Sequence, residues 1–149
     1  MLHTPYVVDA SVYVARSRRS EPGFADAVAL LKRIDLEQWR VYLPSIALPE
    51  VAGNIARTTA KPSFARHVLM ILLQPYVEVV DVNATMGQFA AHIAMQYRIR
   101  GCDAVYVALA QMRNAILITL DQEQRQRVPP NVVARTPAEE LTVLQNPNS

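Results

Sequence analysis

The chain has 149 residues, a formal net charge of +2, 51% hydrophobic residues and 19% charged residues. That is a common length for one domain, enough to bury about two-thirds of the unfolded surface, and it excludes a disordered segment or a polyelectrolyte tail. Cys102 is the only cysteine, which excludes an internal disulfide and a thiolate zinc site. No apolar stretch approaches the roughly 20 residues of a membrane span. Met1 to Ala10 has no basic segment leading into a long apolar run, so no secretory leader is expected, and we expect a soluble cytoplasmic protein.

In chain order, Tyr6-Val7-Val8 is a short apolar run closed by Asp9, the pattern of a buried strand. Ala10 to Arg16 is helical and Arg16 to Ser20 is a polar loop. Pro22 opens a helix to Trp39, with Phe24, Val28, Leu31 and Ile34 on one stripe. Val41-Tyr42-Leu43 is a second strand, stopped by Pro44, after which Ser45 is placed to cap. Pro49 restarts a helix carrying Glu50, Asn54 and Arg57. After a break at Lys61-Pro62-Ser63, helix Phe64 to Leu73 is apolar nearly all round, which predicts contact with a second copy or a partner segment. Val77 to Val82 is a third strand, Thr85 to Tyr97 a helix, Gly101 a turn, Asp103 to Arg113 a helix and Ile116 to Thr119 a fourth strand. A fifth strand is predicted at Val132-Val133-Ala134, and the chain beyond Glu140 is expected to fray. Strands alternating with helices predict a three-layer α/β domain over residues 1–140, its parallel sheet flanked by helices, followed by a frayed tail at 141–149.

Four acids depart from the polar faces where surface acids belong. Asp9 and Asp121 directly follow apolar strands, Glu50 opens a helix just after the second strand, and Asp103 opens an otherwise apolar helix. Ligands of parallel α/β sheets bind outside the carboxyl ends of strands, where Asp9, Glu50 and Asp121 belong by position. Any one of these acids is accounted for by helix capping; capping does not explain all four. Carboxylates crowded together do not all stay ionised without a cation, and hard oxygen donors suit Mg²⁺ or Mn²⁺. Other chemistries fit poorly. His3, His67 and His92 lack metal spacing, and neither a nucleophile elbow nor a phosphate-cradling glycine loop is present. Asp9-Ala10-Ser11-Val12-Tyr13 resembles the Asp-x-Ser-x-Ser loop of von Willebrand A domains, but Tyr13 stands where the second serine belongs.

The stretches Val7-Val8-Asp9-Ala10-Ser11, Leu43-Pro44-Ser45 leading to Glu50, Gly101 to Ala110 around Asp103, and Leu117-Ile118-Thr119-Leu120-Asp121 together resemble a PIN domain of the VapC toxin type. The resemblance covers roughly Tyr6 to Thr136. It implies a metal-dependent ribonuclease with a mostly five-stranded parallel sheet. It places Asp9, Glu50, Asp103 and Asp121 in the catalytic site, with Asp9, Asp103 and Asp121 on the metal and Ser11 and Thr119 supporting the acids. It further implies a homodimer neutralised by a small antitoxin. Glu123 either joins that corner or faces solvent. Arg16, Arg18 and Arg19 follow the first acidic turn, and they either reach RNA phosphates or form a solvated loop. A non-catalytic PIN-like module that binds protein or RNA is the alternative reading.

Overall fold

The computed structural model describes residues 2–146. The elements in order are β1 (Tyr6–Val8), α1 (Ala10–Ser17), α2 (Phe24–Glu37), β2 (Val41–Pro44), α3 (Ala47–Thr59), α4 (Pro62–Leu72), β3 (Val77–Val80), α5 (Ala84–Tyr97), α6 (Gly101–Arg113), β4 (Ile116–Ile118), α7 (Gln122–Gln126), β5 (Ala134–Arg135) and α8 (Pro137–Gln145). The five strands form one parallel sheet in the order β3-β2-β1-β4-β5. The central strand β1 is fully buried. Tyr6 pairs with Val41 on one side and Ile116 on the other, and Val8 lies beside Ile118. Strands covered on both faces need no polar alternation, which is why these segments read as continuous apolar runs.

From β1 the chain moves outward to β2 and β3, then returns through α5 and α6 to place β4 on the opposite side of β1. The strand order therefore reverses between β1 and β4, and a crevice opens at their carboxyl ends. α6 lies against β1, β2 and β4 with α5 beside it. α1 contacts α2 and α3, α3 contacts α4, and α8 packs on α2. Right-handed crossovers set these two helical groups on opposite faces of the sheet. Every residue of α6 from Ala104 to Ala110 is buried. Its alanines permit close approach to the sheet, and each buried Val or Leu contributes about 1.5–3 kcal/mol.

Several boundaries differ from the sequence pattern. α3 begins at Ala47, so Pro49 sits inside its first turn, where a missing N–H costs nothing. Pro62 likewise belongs to the start of α4. Ser45 does not cap α3; its hydroxyl accepts the Val82 N–H at 3.3 Å, tying β2 to the segment after β3. Gly101 is the first residue of α6 and not a turn; the reversal before it runs through Arg98 in the left-handed region, at φ 56°. β5 lies at Ala134–Arg135, shifted toward the C-terminus from the apolar Val132-Val133 pair.

The expected fraying beyond Glu140 is replaced by helix. Thr136 and Glu139 form a capping box for α8, which runs to Gln145. The buried Glu140 carboxylate accepts the Tyr6 hydroxyl at 2.7 Å and the Arg135 guanidinium at 2.6 Å. Of the expected tail, residues 147–149 lie outside the described residues.

Candidate active site

Asp9 follows β1 directly. Its N–H donates to the Ile118 carbonyl at 2.9 Å, extending the β1–β4 ladder by one step. The chain then turns into α1, and the Asp9 carboxylate caps that helix by accepting the Ser11 N–H at 2.9 Å. Asp121 repeats the design after β4: its carboxylate accepts the Gln124 N–H at 2.9 Å and caps α7. Capping is therefore real at both positions, yet it occupies only part of each carboxylate. The Ser11 hydroxyl accepts the Leu120 N–H at 3.1 Å and lies 3.5 Å from the Thr119 hydroxyl, which accepts the Asp121 N–H at 3.1 Å. These two hydroxyls lace the β1 and β4 turns together. Ser11 bonds Asp9 directly, whereas Thr119 holds the backbone that carries Asp121. Gly23, at φ 81°, lets the loop before α2 approach Leu120; a Cβ there would meet its Cδ2 at 3.0 Å.

Asp9, Glu50, Asp103 and Asp121 line one cleft of about 790 Å³ at this edge. α3 supplies Glu50 and α6 supplies Asp103, each from its first turn. Three of the four carboxyls are pushed toward protonation. Burial, then the charges of Asp9 and Asp103, raises Glu50 to about 7. Burial, then the charges of Asp9 and Asp121, raises Asp103 to about 6. Asp9 is also raised, chiefly by burial; its hydrogen bonds to Ser11 act in the opposite direction. The acids sense one another, as like charges sharing a site do.

Among the described residues, no three His, Cys, Asp or Glu side chains are close enough to form a ready-made metal cage. Asp9, Asp103 and Asp121 do not close into one as they stand. The donor chemistry nevertheless fits a Mg²⁺-sized ion, which takes one or two carboxylates and keeps its waters. The Glu50 Oε1 is buried without a hydrogen-bond partner, an acceptor left open toward such a cation or its waters.

The arginines expected beside the first acid do not line this cleft. Arg18 pairs with Glu21, Arg16 lines separate cavities with Tyr76 and Phe64, and Arg19 is exposed. The cleft's guanidinium is instead that of Arg57, joined by Asn54 on the same helix. The spacing Glu50, Asn54, Arg57 is the signal that identifies this wall, since residues four and seven apart share a helix face. Glu123 is exposed and pairs with Arg127 at 2.6 Å. Gln124 was not marked by its sequence context, yet it is buried and donates to the Asp103 carbonyl at 3.0 Å, bracing α6 against α7. Cys102 lines the cleft mouth, where burial and the charges of Glu50 and Asp103 raise its thiol pKa and disfavour the thiolate.

Comparison of folds returned solved structures of low sequence identity, among them a toxin–antitoxin complex from Klebsiella pneumoniae. VapBC2 of Rickettsia felis, solved bound to a promoter DNA fragment, matches with TM-score 0.67 at 17% identity, over 89% of this chain and 98% of that one. VapC20 of Mycobacterium tuberculosis, a sarcin-ricin-loop-cleaving toxin, matches with TM-score 0.68 at 18% identity, over 81% and 93%. FitAcB of Neisseria gonorrhoeae matches with TM-score 0.65 at 20% identity, over 89% and 98%. A search of curated proteins by sequence returned no match. The PIN domain profile matches residues 6–128, spanning β1 to just past α7 and so Asp9, Glu50, Asp103 and Asp121. With the parallel five-stranded sheet and its switch-point cleft, that match establishes that the chain belongs to the PIN domain family.

Proposed function

We propose that this chain is a Mg²⁺- or Mn²⁺-dependent endoribonuclease, the toxin of a type II toxin–antitoxin pair acting in the cytoplasm. The observation that carries the reading is the meeting of four carboxyls from four separate elements in one cleft of a PIN domain. A module without catalytic duty gains nothing from carboxyls that raise one another's pKa. A bound divalent cation would supply charge compensation for a phosphoryl transition state and an activated water.

The protein's own residues supply the rest. Asp9, Asp103 and Asp121 would hold the cation, with Asp9 oriented by Ser11 and Asp121 by the turn that Thr119 ties down. Glu50, raised to about 7 and carrying an unpartnered oxygen, is suited to accept a proton near neutral pH. Single-stranded or looped RNA is the substrate class, since an extended backbone can enter an open cleft. The VapBC and FitAB neighbours support a small antitoxin as partner. Exposed Met70 and Leu73 on and just after α4 support self-association through that face. No described helix is long and apolar enough to cross a membrane.

The test is RNA cleavage by the purified protein in Mn²⁺, with and without EDTA. Cleavage that EDTA stops is the expected result. Intact RNA in Mn²⁺, with RNA or antitoxin still bound, would leave the binding module as the correct reading.

A further inference from the structure

Among the described residues, the cleft is lined by five carboxylates, those of Asp9, Glu21, Glu50, Asp103 and Asp121, and by a single guanidinium, that of Arg57. A nucleic acid backbone entering this cleft brings more negative charge, so the placement of the lining cation bears on where a phosphate can rest; Arg100 also acts on Asp103 but does not line the cleft. Glu21 is already paired with Arg18. Arg57 has no ion-pair partner among the described residues, and it is not among the charges acting on Glu50. It therefore shares the cleft without neutralising the acids.

Arg57 lies in the last turn of α3, where a cation is favoured by the helix dipole alone. Its guanidinium does not sit at the carbonyl end, however. It reaches back one turn, so that its Nη1 lies 3.7 Å from where a Cβ on Gly53 would stand. Helical side chains lean toward the N-terminus, and the bare Gly53 leaves that path open. The adjoining wall residue, Asn54, carries a buried Oδ1 without a hydrogen-bond partner. An unpaired planar cation beside an unfilled acceptor describes a wall that awaits a ligand bearing both phosphate and donor groups.

We propose that Arg57 binds a phosphate of the RNA strand next to the one being cut, and so sets how the strand lies across the acids. This rests on the ribonuclease reading above and adds a residue that binds substrate without taking part in the bond change. An arginine fork matches phosphate oxygens in a way that lysine does not.

The test uses fluorescein-labelled poly(U) RNA in EDTA, with binding followed by fluorescence anisotropy over a salt series, and cleavage kinetics in Mn²⁺ alongside. Arg57 is exposed, so its replacement leaves the core intact. Arg57→Gln is expected to bind about tenfold more weakly. It should also flatten the slope of log affinity against log salt by about 0.7, the share of one phosphate contact on a single strand. In cleavage it raises KM with kcat kept. Arg57→Lys keeps the salt slope and recovers only part of the affinity. Arg40→Gln, an exposed arginine just before β2 at the opposite edge of the sheet, behaves as the parent. Parent-like affinity and slope in Arg57→Gln, while the parent cleaves RNA, would overturn the assignment and leave the ribonuclease reading standing. A fall in kcat at unchanged KM would overturn it too. A parent that neither binds nor cleaves RNA defeats both.

Discussion

Replacing Asp103 by Asn keeps the side chain's shape and removes one charge from the cleft. In the metal-free protein, burial and the charges of Asp9 and Asp121 raise this carboxyl from 3.8 to about 6. Holding it ionised at neutral pH thus costs up to about 3 kcal/mol. Asp103 stands at an open cleft and is only half-buried, so solvent screening reduces that to about 1–2 kcal/mol. Against this, the neutral Asn forgoes the attraction of a carboxylate to the amino end of α6, about 0.3–1 kcal/mol. The cost of burial and repulsion wins, and Asp103→Asn should be more stable than the parent by about 1 kcal/mol, a rise in Tm of about 2–4 °C for a chain of this size. The sign depends on pH. A carboxyl whose pKa is higher in the folded protein favours folding while protonated, and that advantage is lost as pH rises from about 4 through about 6. The mutant's gain is therefore absent at pH 4 and full at pH 7. Thermal unfolding in EDTA at both pH values measures it. If the cleft binds Mn²⁺ as proposed, the order should reverse with that ion present, because ligand binding stabilises the parent by mass action. A mutant less stable than the parent in EDTA at pH 7, or a difference unchanged between the two pH values, would refute the repulsion argument.

Three further outcomes are expected. Gln124→Leu should lower stability by about 1–3 kcal/mol in urea unfolding, because it leaves the Asp103 carbonyl without its side-chain donor; an unchanged midpoint would show that α7 does not brace α6. Glu140→Ala strips the buried partner of both Tyr6 and Arg135 and should cost about 2–4 kcal/mol, with amide exchange rising first in α8; protection lost uniformly across the chain would count against α8 as the first unit released. Met70→Lys should convert a dimer to a monomer in light scattering without loss of solubility, since Met70 is 70% exposed. A parent that is already monomeric removes self-association from this face. Leu69 is the poorer probe, because it is half-buried against the core.

The sheet and the four acids were legible because burial on both faces leaves no choice of residue type. Tyr6-Val7-Val8 and Leu117-Ile118 must be apolar, so Asp9 directly after the first and Asp121 three residues after the second stand out, while Glu50 and Asp103 stand out as acids in the first turns of helices. Helix ends were less legible for a physical reason. α2, α3, α5 and α6 close on left-handed Gln38, Ala60, Arg98 and Asn114. The usual glycine stop signal is absent at all four. α7 has the polar sequence Gln-Glu-Gln-Arg-Gln and no apolar stripe, so neither the helix nor the burial of Gln124 could be read from periodicity. Sequence proximity did not bring Arg16, Arg18 or Arg19 into the cleft lining. Arg16 is near Asp9 along the chain, but α1 carries it about 10 Å down its axis to other partners, and Arg18, just past the end of α1, pairs with Glu21 of the cleft wall without lining the cleft itself. Arg57, distant from Asp9 in sequence, returns to the cleft on the face that Glu50 begins.

The central strand has a consequence for synthesis on the ribosome. β1 emerges long before its neighbour β4, and the bond from the Leu120 N–H to the Ser11 hydroxyl spans 109 residues. Until that late segment is released, Asp9 has no β4 turn to lock against and Asp121 does not exist. A nascent chain therefore carries an incomplete set of acids until β4 and the turn that holds Asp121 have been made.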